Sequence, residues 1–322
     1  MSTSIVEYTL NNQNNDRICV INYGARITKW HTYIEKQNRN IVLGYSDVND
    51  YLTDPYFLGA IAGPYANRIE GAQFKLDKQT IMLNNNEGKN QLHGGNNALS
   101  NLFWQLDYCT ADTLSLYLDL PDGYNGYPGN TRFMVNYKLS VNEVNETALT
   151  INCSIKSDKN TLAGPTSHPY FNLAGTTNSC VGHQLKLFAN QYTPVDEKSI
   201  PTGEIHTTLN TRFDFTSTKT LNNKIDKLDH NFVCDTELSL TSVKPMALLT
   251  SPDKAVRLEV QSNYPAIQVY TGQHLNQPFN PFDGICLEPQ FCPNSPNQNN
   301  FPFQFVRANQ SLNTNIVYVL KK

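Results

Sequence analysis

The chain has few charged residues and no block of lysine or arginine. Asp, Glu, Lys and Arg together make up 16% of its 322 residues, and the formal net charge at pH 7 is -3. Surfaces that bind nucleic acid or an anionic membrane usually present a basic patch, so the composition argues against both kinds of partner. We expect a neutral or weakly charged small ligand. For the oligomeric state we expect a monomer or a weak homodimer.

The chain also lacks long apolar runs and paired cysteines. No stretch approaches the roughly 18 consecutive apolar residues of a membrane helix, and residues 1–8 do not show the basic start and apolar segment of a secretory signal. The seven cysteines are an odd number without any Cys-x-x-Cys, which argues against a disulfide framework or a structural zinc site. We therefore expect a reduced, soluble, cytoplasmic protein.

Several sequence signatures of cofactor and covalent chemistry are missing. There is no Gly-x-x-x-x-Gly-Lys-[Ser/Thr] loop, no strand-embedded Gly-x-Gly-x-x-Gly and no Gly-x-Ser-x-Gly nucleophile elbow. The seven histidines form neither a His-x-His nor a His-x-x-x-His pair, so metal ligands would have to come from distant loops. We expect no metal and no other cofactor. A metal-dependent jelly-roll enzyme stays open as a distant alternative.

What the chain does contain, repeatedly, is period-two alternation of apolar and polar residues. The clearest case is segment 113–120, where four leucines alternate with Thr, Ser, Tyr and Asp. Such alternation predicts a strand that buries one face. The same pattern recurs in segments 133–141, 149–155, 256–260 and 316–320.

Turn formers separate these segments, and no segment shows the three-to-four-residue apolar period of a long helix. Asparagine and glycine, which tolerate positive φ, cluster at 84–88 and 121–126. Segment 46–52 predicts a short helical turn, and the asparagine-rich run 294–300 predicts a structured loop. We predict an all-β fold, a large antiparallel β-sandwich with few short helical turns, as a single domain over 1–322. Length alone also permits two domains.

Two separated segments each place a proton-transfer residue among prolines and aromatics. Glu288 directly follows an apolar, strand-like stretch, where a partly buried base would lie; taken alone, a glutamate there is more often a strand-end residue facing solvent. His168 precedes Pro169, which favours extended backbone, and a histidine can donate or accept a proton near neutral pH. Alone, it could be a satisfied core histidine. Together the two segments suggest acid–base chemistry on a sugar.

Further positions offer groups that could bind a sugar. His93 precedes two glycines, which let a ligand or another strand approach closely. Arg68 has a fork of donors for ligand oxygens or for a carboxylate partner, a surface salt bridge being its plainer role. Asp229 could accept two adjacent sugar hydroxyls or be a turn residue. Gln268 alternates with apolar neighbours and so faces away from them.

Aromatic side chains near these segments could also contact a sugar. The rings of Tyr170, Phe171 and Trp104 could stack on the apolar C–H face of a pyranose. Core packing explains each of them equally well.

Six short segments, taken in chain order, resemble the aldose 1-epimerase (galactose mutarotase) family, and the resemblance spans nearly the whole chain. They are Ala66-Asn67-Arg68-Ile69, Leu92-His93-Gly94-Gly95, His168-Pro169-Tyr170-Phe171-Asn172-Leu173, Asp229-His230-Asn231-Phe232, Val269-Tyr270-Thr271-Gly272 and Leu287-Glu288-Pro289-Gln290. The resemblance implies a large antiparallel β-sandwich. It also implies a cofactor-free isomerase that interconverts the α and β anomers of free aldohexoses such as galactose and glucose.

The resemblance also assigns roles to individual residues. Glu288 matches the family's general base and His168 its general acid. The family's sugar-binding positions match Asn67, Arg68, His93, Asp229 and Gln268, and we add Tyr170 as a substrate-binding candidate. The chain departs from the family's pattern at Pro64, where many members have arginine, and at 293–297, which replaces a Pro-Asp-Ala segment. Both departures bear on the loops around the pocket and on the preferred sugar.

In the mechanism that this resemblance implies, ionised Glu288 removes the proton of the C1 hydroxyl and protonated His168 delivers one to the ring oxygen. With ordinary pKa values of about 4.3 and 6.5, His168 would be mostly unprotonated at pH 7, so we expect a neighbour that raises its pKa. Two other functions stay open. One is a non-catalytic carbohydrate-binding module, and the other is a related isomerase or lyase acting on a uronic or phosphorylated sugar.

Overall fold

The structure is a computed structural model that describes residues 4–35, 37–176, 179–222 and 227–322. These residues form mainly β-strands. In chain order the strands are β1 (Glu7–Asn11), β2 (Arg17–Ile21), β3 (Arg26–Ile34), β4 (Gln37–Asn40), β5 (Ile61–Ala62), β6 (Arg68–Ile69), β7 (Gln73–Leu76), β8 (Gln79–Met82), β9 (Gln91–Leu92), β10 (Gln105–Cys109), β11 (Thr113–Leu120), β12 (Thr131–Val141), β13 (Thr147–Ser157), β14 (Thr166–Ser167), β15 (Tyr170–Phe171), β16 (Gln184–Leu187), β17 (Gln191–Tyr192), β18 (His206–Thr207), β19 (Lys219–Thr220), β20 (Asp229–Val233), β21 (Lys244–Thr250), β22 (Arg257–Ser262), β23 (Ala266–Tyr270), β24 (Ile285–Gln290) and β25 (Ser311–Lys321).

The helical content within these ranges is limited to short 3₁₀ turns. They are Val48–Thr53, Glu70–Ala72, Leu99–Asn101, Tyr124–Gly126 and Ser295–Asn297. The turn predicted at 46–52 is confirmed by the 3₁₀ turn Val48–Thr53. Asp47 precedes it as the N-cap, and the Asp47 side chain accepts a 2.9 Å hydrogen bond from the Asn49 N–H. The loop predicted at 294–300 is also structured, since Asn294 adopts φ 59° ahead of the last 3₁₀ turn. No helix in the described part of the chain is long and apolar enough to cross a membrane.

The strands predicted from alternation lie in a nine-stranded antiparallel sheet. Its order is β10-β11-β12-β13-β25-β22-β21-β16-β19. The predicted segments correspond to β11, β12, β13, β22 and β25, with the fourth prediction starting one residue early at Val256. In β11 the four leucines are buried, as the alternation indicates. The predicted all-β antiparallel fold is therefore confirmed.

A second, six-stranded sheet has the order β15-β24-β23-β20-β17-β18. Every residue of β24 is buried, so this strand shows no apolar–polar alternation in its exposure. Ile285 and Leu287 pack into the main core, whereas Glu288, next along the strand, has the opposite orientation. Residues directly opposite in neighbouring strands share a face, and Gln268 of β23 lies opposite Glu288.

One line of aromatic contacts joins three sheets across the core. Trp30 of β3, in the four-stranded sheet β1-β2-β3-β4, lies with its ring centroid 6.4 Å from that of Phe171 in β15. Phe171 in turn lies 5.0 Å from Tyr318 of β25. All three rings are fully buried in one apolar cluster. The shared core accords with a single domain over 1–322, which stays a prediction.

We expect the centre of β13 to be sensitive to loss of side-chain volume. Ile151 is 1% exposed and lies opposite residues of both β12 and β25. Ile151→Ala should lower the free energy of unfolding by about 2–5 kcal/mol, because a buried aliphatic group is removed and a cavity is left. Urea denaturation measures this change. Val144→Ala, at a side chain that is 71% exposed, is the control, and equal midpoints for both variants would contradict the packing described here.

Candidate active site

The eight residues that the sequence indicates as catalytic or sugar-binding positions all line one pocket of about 290 Å³. They are Asn67, Arg68, His93, His168, Tyr170, Asp229, Gln268 and Glu288. A cleft of about 550 Å³ elsewhere is larger, but its rim carries solvent-exposed charges such as the Asp119–Arg132 ion pair. The smaller pocket is the candidate active site because it combines buried titratable groups with an opening that a small ligand fits.

Glu288 reaches the pocket from within β24. We expected it directly after a strand and partly buried; it lies instead inside the strand and is only 2% exposed. The solvent-facing alternative is therefore wrong. Among the residues that the structure describes, its Oε2 atom has no hydrogen-bond partner. On the neighbouring strand, Gln268 faces the pocket and donates a 2.6 Å hydrogen bond through Nε2 to Asp229 Oδ1. The sheet thus aligns a carboxyl, an amide and a second carboxyl on one face.

His168 lies between the two-residue strands β14 and β15 and is held by its backbone. Its N–H donates to the Ala60 carbonyl at 2.9 Å, and its own carbonyl accepts from the Gly59 N–H at 3.0 Å. The imidazole is 5% exposed and borders the pocket, with Nε2 3.5 Å from Glu288 Oε2. On the other side of the ring, Nδ1 lies 3.5 Å from the Cys286 sulfur. Both ring nitrogens therefore face groups on β24.

His93 owes its position to a tight turn. Its φ is 49°, and its Nδ1 accepts a 3.2 Å hydrogen bond from the Asn67 N–H, which leaves Nε2 to carry the proton of the neutral ring. Gly94 has φ 92°, and a Cβ there would lie 2.2 Å from the Gly63 carbonyl oxygen. Gly94 is therefore needed because the backbone of residue 63 lies too close for a side chain. The turn formed in this way directs the His93 ring into the pocket.

Arg68 contacts both the pocket and a carboxylate. Its Nε and Nη2 donate to the two carboxylate oxygens of Glu87 at 2.7 and 2.8 Å, which is a bidentate ion pair. The sequence placed Glu87 only in a turn, so this partner was missed. Segment 293–297, which departs from the family's pattern, contacts the Arg68 backbone. The Asn294 N–H donates a 2.8 Å hydrogen bond to the Arg68 carbonyl. Neither that segment nor Pro64 lines the pocket.

The structure adds an aromatic wall that the sequence did not indicate. Phe57 has φ 57°, and its ring lies 4.7 Å from that of His93 and 6.0 Å from that of His168. Asp54 holds this loop by accepting hydrogen bonds from the Leu58 N–H at 2.9 Å and from Arg26 Nη1 at 2.5 Å. The Asp54-Pro55 pair was a possible signal, since Asp-Pro favours a turn. Tyr56, Tyr270 and His274 also line the pocket and were missed.

Of the three aromatic residues considered for stacking, one lines the pocket. Tyr170 borders it, and its hydroxyl donates to the Tyr56 carbonyl at 3.0 Å. Phe171 is fully buried in the core, and Trp104 is buried with its Nε1–H donating to the Leu99 carbonyl at 3.0 Å. Stacking of Phe171 or Trp104 on a ligand is therefore wrong, because both rings are enclosed by protein.

Burial sets the protonation of the central pair. Removal from water lowers the pKa of His168 to about 4 and raises the pKa of Glu288 well above its ordinary value, with the nearby Asp229 charge adding to the rise. The pKa of His93 is likewise lowered by burial and by His168 and Arg68. Our expectation of a raised pKa for His168 was wrong, because loss of hydration outweighs its neighbours. Burial thus disfavours the charged form of both residues.

One group in the described part of the chain brings possible metal ligands together: His168, Cys286 and Glu288, with ligand atoms within 4.8 Å of one another. The thiol lies nearest Nδ1 and the carboxylate nearest Nε2, whereas one metal ion bonds one ring nitrogen. Burial also holds the pKa of the Cys286 thiol well above its ordinary value, which disfavours the thiolate that binds metals. The arrangement suits proton transfer better than metal binding.

Comparison with known proteins finds similarity to aldose 1-epimerases and galactose mutarotases. The aldose 1-epimerase family model matches residues 6–319. An aldose 1-epimerase from Haemophilus influenzae is 35% identical over 308 residues, which cover 90% of this chain and 87% of the relative. A galactose mutarotase from Sus scrofa is 32% identical over 318 residues, covering 92% and 89%.

Solved structures show the same similarity over the full length. A galactose 1-epimerase from Lactobacillus acidophilus superposes with a TM-score of 0.84 at 29% identity, covering 100% of this chain and 99% of that one. An aldose epimerase homologue from C. elegans has the same fold, with a TM-score of 0.90 at 24% identity and 99% coverage of both chains. The chain therefore belongs to the aldose 1-epimerase family of isomerases and has that family's antiparallel β-sandwich fold.

Proposed function

We propose that this enzyme interconverts the α and β anomers of free aldohexoses such as galactose and glucose, with Glu288 as general base and His168 as general acid. The observation that carries the residue assignment is the 3.5 Å separation of Glu288 Oε2 and His168 Nε2, both buried at one pocket. Two proton-transfer groups placed this closely can serve two neighbouring oxygens of one small ligand, here the C1 hydroxyl and the ring oxygen.

The reaction opens and closes the pyranose. Glu288 takes the proton of the C1 hydroxyl while His168 Nε2 gives a proton to the ring oxygen, so the C1–O5 bond breaks and C1 becomes a carbonyl. Rotation about C1–C2 then presents the other face of that carbonyl. His168 takes back the O5 proton, Glu288 returns its proton to O1, and O5 attacks C1 to give the other anomer. Protons are only exchanged, so no cofactor is consumed.

The proton count of the pair fits this cycle. After ring opening the proton lies on Glu288 and His168 is neutral, which is the arrangement that burial favours in the ligand-free pocket. Ring opening itself needs the other tautomer, with the proton on His168. In that tautomer the imidazolium and the carboxylate attract each other across the 3.5 Å gap. Burial therefore favours the placement of the proton that follows ring opening. The attraction within the ion pair offsets part of the free-energy cost of moving that proton to His168.

The charges around the pocket favour a neutral sugar. Arg68 is the one Lys or Arg side chain among the described residues that line it, and its guanidinium is already paired with Glu87. Asp229 and Glu288 add carboxyl groups that would repel an anion when ionised. A uronic or phosphorylated sugar would leave its own charge unpaired here. We assign Asp229, Gln268, Asn67, His93 and Arg68 to the sugar hydroxyls, with Tyr170 at the wall.

Removing the base should stop turnover without unfolding the protein. Glu288→Gln keeps the shape of the side chain but cannot accept a proton, so kcat should fall about 10²–10⁴-fold with a smaller change in KM. Polarimetry on fresh α-D-galactose and α-D-glucose, corrected for spontaneous mutarotation in buffer, measures this loss. Glu143→Gln, an exposed glutamate, is the control. Wild-type turnover in folded Glu288→Gln would discard the assignment, and sugar binding without any wild-type turnover would favour a binding module.

The pH dependence of kcat/KM should show that the Glu288–His168 pair is active when the two residues together carry one proton. Below about pH 4, the value to which burial lowers the pKa of His168, a second proton enters and kcat/KM falls. Above the raised pKa of Glu288 the pair loses its single proton and kcat/KM falls again. The check is kcat/KM from pH 3 to 10 at constant ionic strength. An acid limb near pH 6.5 would contradict the effect of burial on His168.

Glu87 should help the enzyme to discriminate against anionic sugars. Glu87→Gln leaves the Arg68 charge unpaired, so the ratio of kcat/KM for galacturonic acid to that for galactose should rise several-fold. The measurement is the two rates at low ionic strength, where the gain should be largest. Glu143→Gln, at an exposed glutamate that lines neither this pocket nor the cleft beside Glu87, is the control. An unchanged ratio would show that this ion pair does not govern charge selection.

A further inference from the structure

The Cys286 thiol sits behind the His168 ring. Its sulfur lies 3.5 Å from Nδ1, while Glu288 Oε2 lies 3.5 Å from Nε2. Cys286 and Glu288 are two residues apart on β24, so both side chains project from the same face and reach the same imidazole. Neither the proposed proton transfers nor the family match assigns a role to this thiol.

The surroundings of Cys286 hold the thiol in place and away from the ligand. It is fully buried, lies opposite Tyr170 of β15 and Tyr270 of β23 in the sheet, and does not line the pocket. It forms no disulfide. A thiol is both a weak donor and a weak acceptor, so its sulfur can accept a hydrogen bond from an Nδ1–H group.

We propose that Cys286 is a positioning residue: its sulfur accepts the Nδ1–H of His168, so that Nε2 is the nitrogen that gives and regains the proton of the ring oxygen. The inference rests on the proposed function and adds to it the tautomer of the acid. With Nδ1 occupied, the neutral ring presents a bare Nε2 to the O5 hydroxyl of the open-chain sugar. A ring protonated on Nε2 alone could not take that proton back.

A weak acceptor at Nδ1 suits a proton that must move in both directions. A carboxylate there would stabilise the imidazolium and hold its charge, whereas sulfur stabilises it little. Besides a hydrogen bond to its own backbone, His168 faces the side chains of Arg26, Asp54, His93, Tyr170, Cys286 and Glu288 from the elements around it. Of these, Cys286 is the one beside Nδ1, so its replacement should act on that nitrogen.

The test compares Cys286→Ala with Cys286→Ser. Alanine removes the acceptor, so kcat should fall about three- to tenfold with KM little changed, which is the scale of one lost hydrogen bond. Serine restores an acceptor that is stronger than sulfur, so most of kcat should return and the acid limb of the pH profile should move to higher pH. Cys153→Ala is the matched control, because it removes another buried thiol, from β13, that does not line the pocket.

A readout that needs no turnover is the ¹⁵N NMR spectrum of His168 near pH 7. The wild type should show the Nδ1–H tautomer, and Cys286→Ala should shift the ring towards Nε2–H. Unchanged kcat, pH profile and tautomer in Cys286→Ala would overturn the proposal. Equal losses in Cys286→Ala and Cys286→Ser, matched by a drop in stability, would overturn it in favour of packing. The expected tautomer shift in a protein that turns over no aldose would support the contact and reject the proposed function.

Discussion

The pocket depends on the register of three neighbouring strands, β20, β23 and β24. Glu288 lies opposite Gln268, and Gln268 lies opposite Asn231, so the three polar side chains share one face. The other face carries Leu287 and Val269, which are fully buried in the main core. A slip of one residue would exchange the two faces, placing apolar side chains in the pocket and carboxyl groups in the core. Burial of the apolar face therefore determines the register, and the register determines which polar side chains line the pocket.

Exclusion of water is the second constraint, and it acts in two different ways. The side chains of Arg26 and Asp54 are fully buried but paired at 2.5 Å, and Asp54 also accepts backbone N–H groups of its loop, so this charge has partners and fixes the position of Phe57. His168 and Glu288 are buried with fewer partners. For them, burial disfavours the charged forms, lowering the pKa of His168 and raising that of Glu288. The paired charges organise the wall of the pocket, and the poorly paired ones supply its reactivity.

The sequence predicts the half-buried parts of the molecule better than the fully buried ones. Segment 113–120 alternates because one face of β11 meets the core, and its strand follows directly from that pattern. Strand β24 is buried on both faces, so the position of Glu288 within it is not visible in any alternation. The pocket residues were found through short segments that resemble a family. Phe57 was not, because a loop held by a remote ion pair leaves no periodic signal.

Electrostatic details were the least predictable from sequence. Reference pKa values describe groups in water, and only the packing around His168 shows that hydration is lost. Glu87 was seen only as part of a turn, because its partner Arg68 lies 19 residues earlier in the chain, on β6. Nothing in the sequence distinguishes Cys286 from the other cysteines, because a free cysteine most often behaves as a small buried apolar residue. Its distance from Nδ1 depends on the pairing of β24 with β15, which is a long-range contact.

The position of β25 in the nine-stranded sheet determines when that sheet can be completed during synthesis. This strand lies between β13 and β22, so within the described ranges it is the strand that joins β10–β13 to the other half of the nine-stranded sheet. β13 ends at Ser157 and β25 begins at Ser311, so their pairing closes a loop of nearly half the chain. Such distant contacts form late, because the entropy of loop closure must be overcome first. During synthesis the two halves of the sheet therefore emerge with open edges, and they become one sheet only when residues 311–321 leave the ribosome.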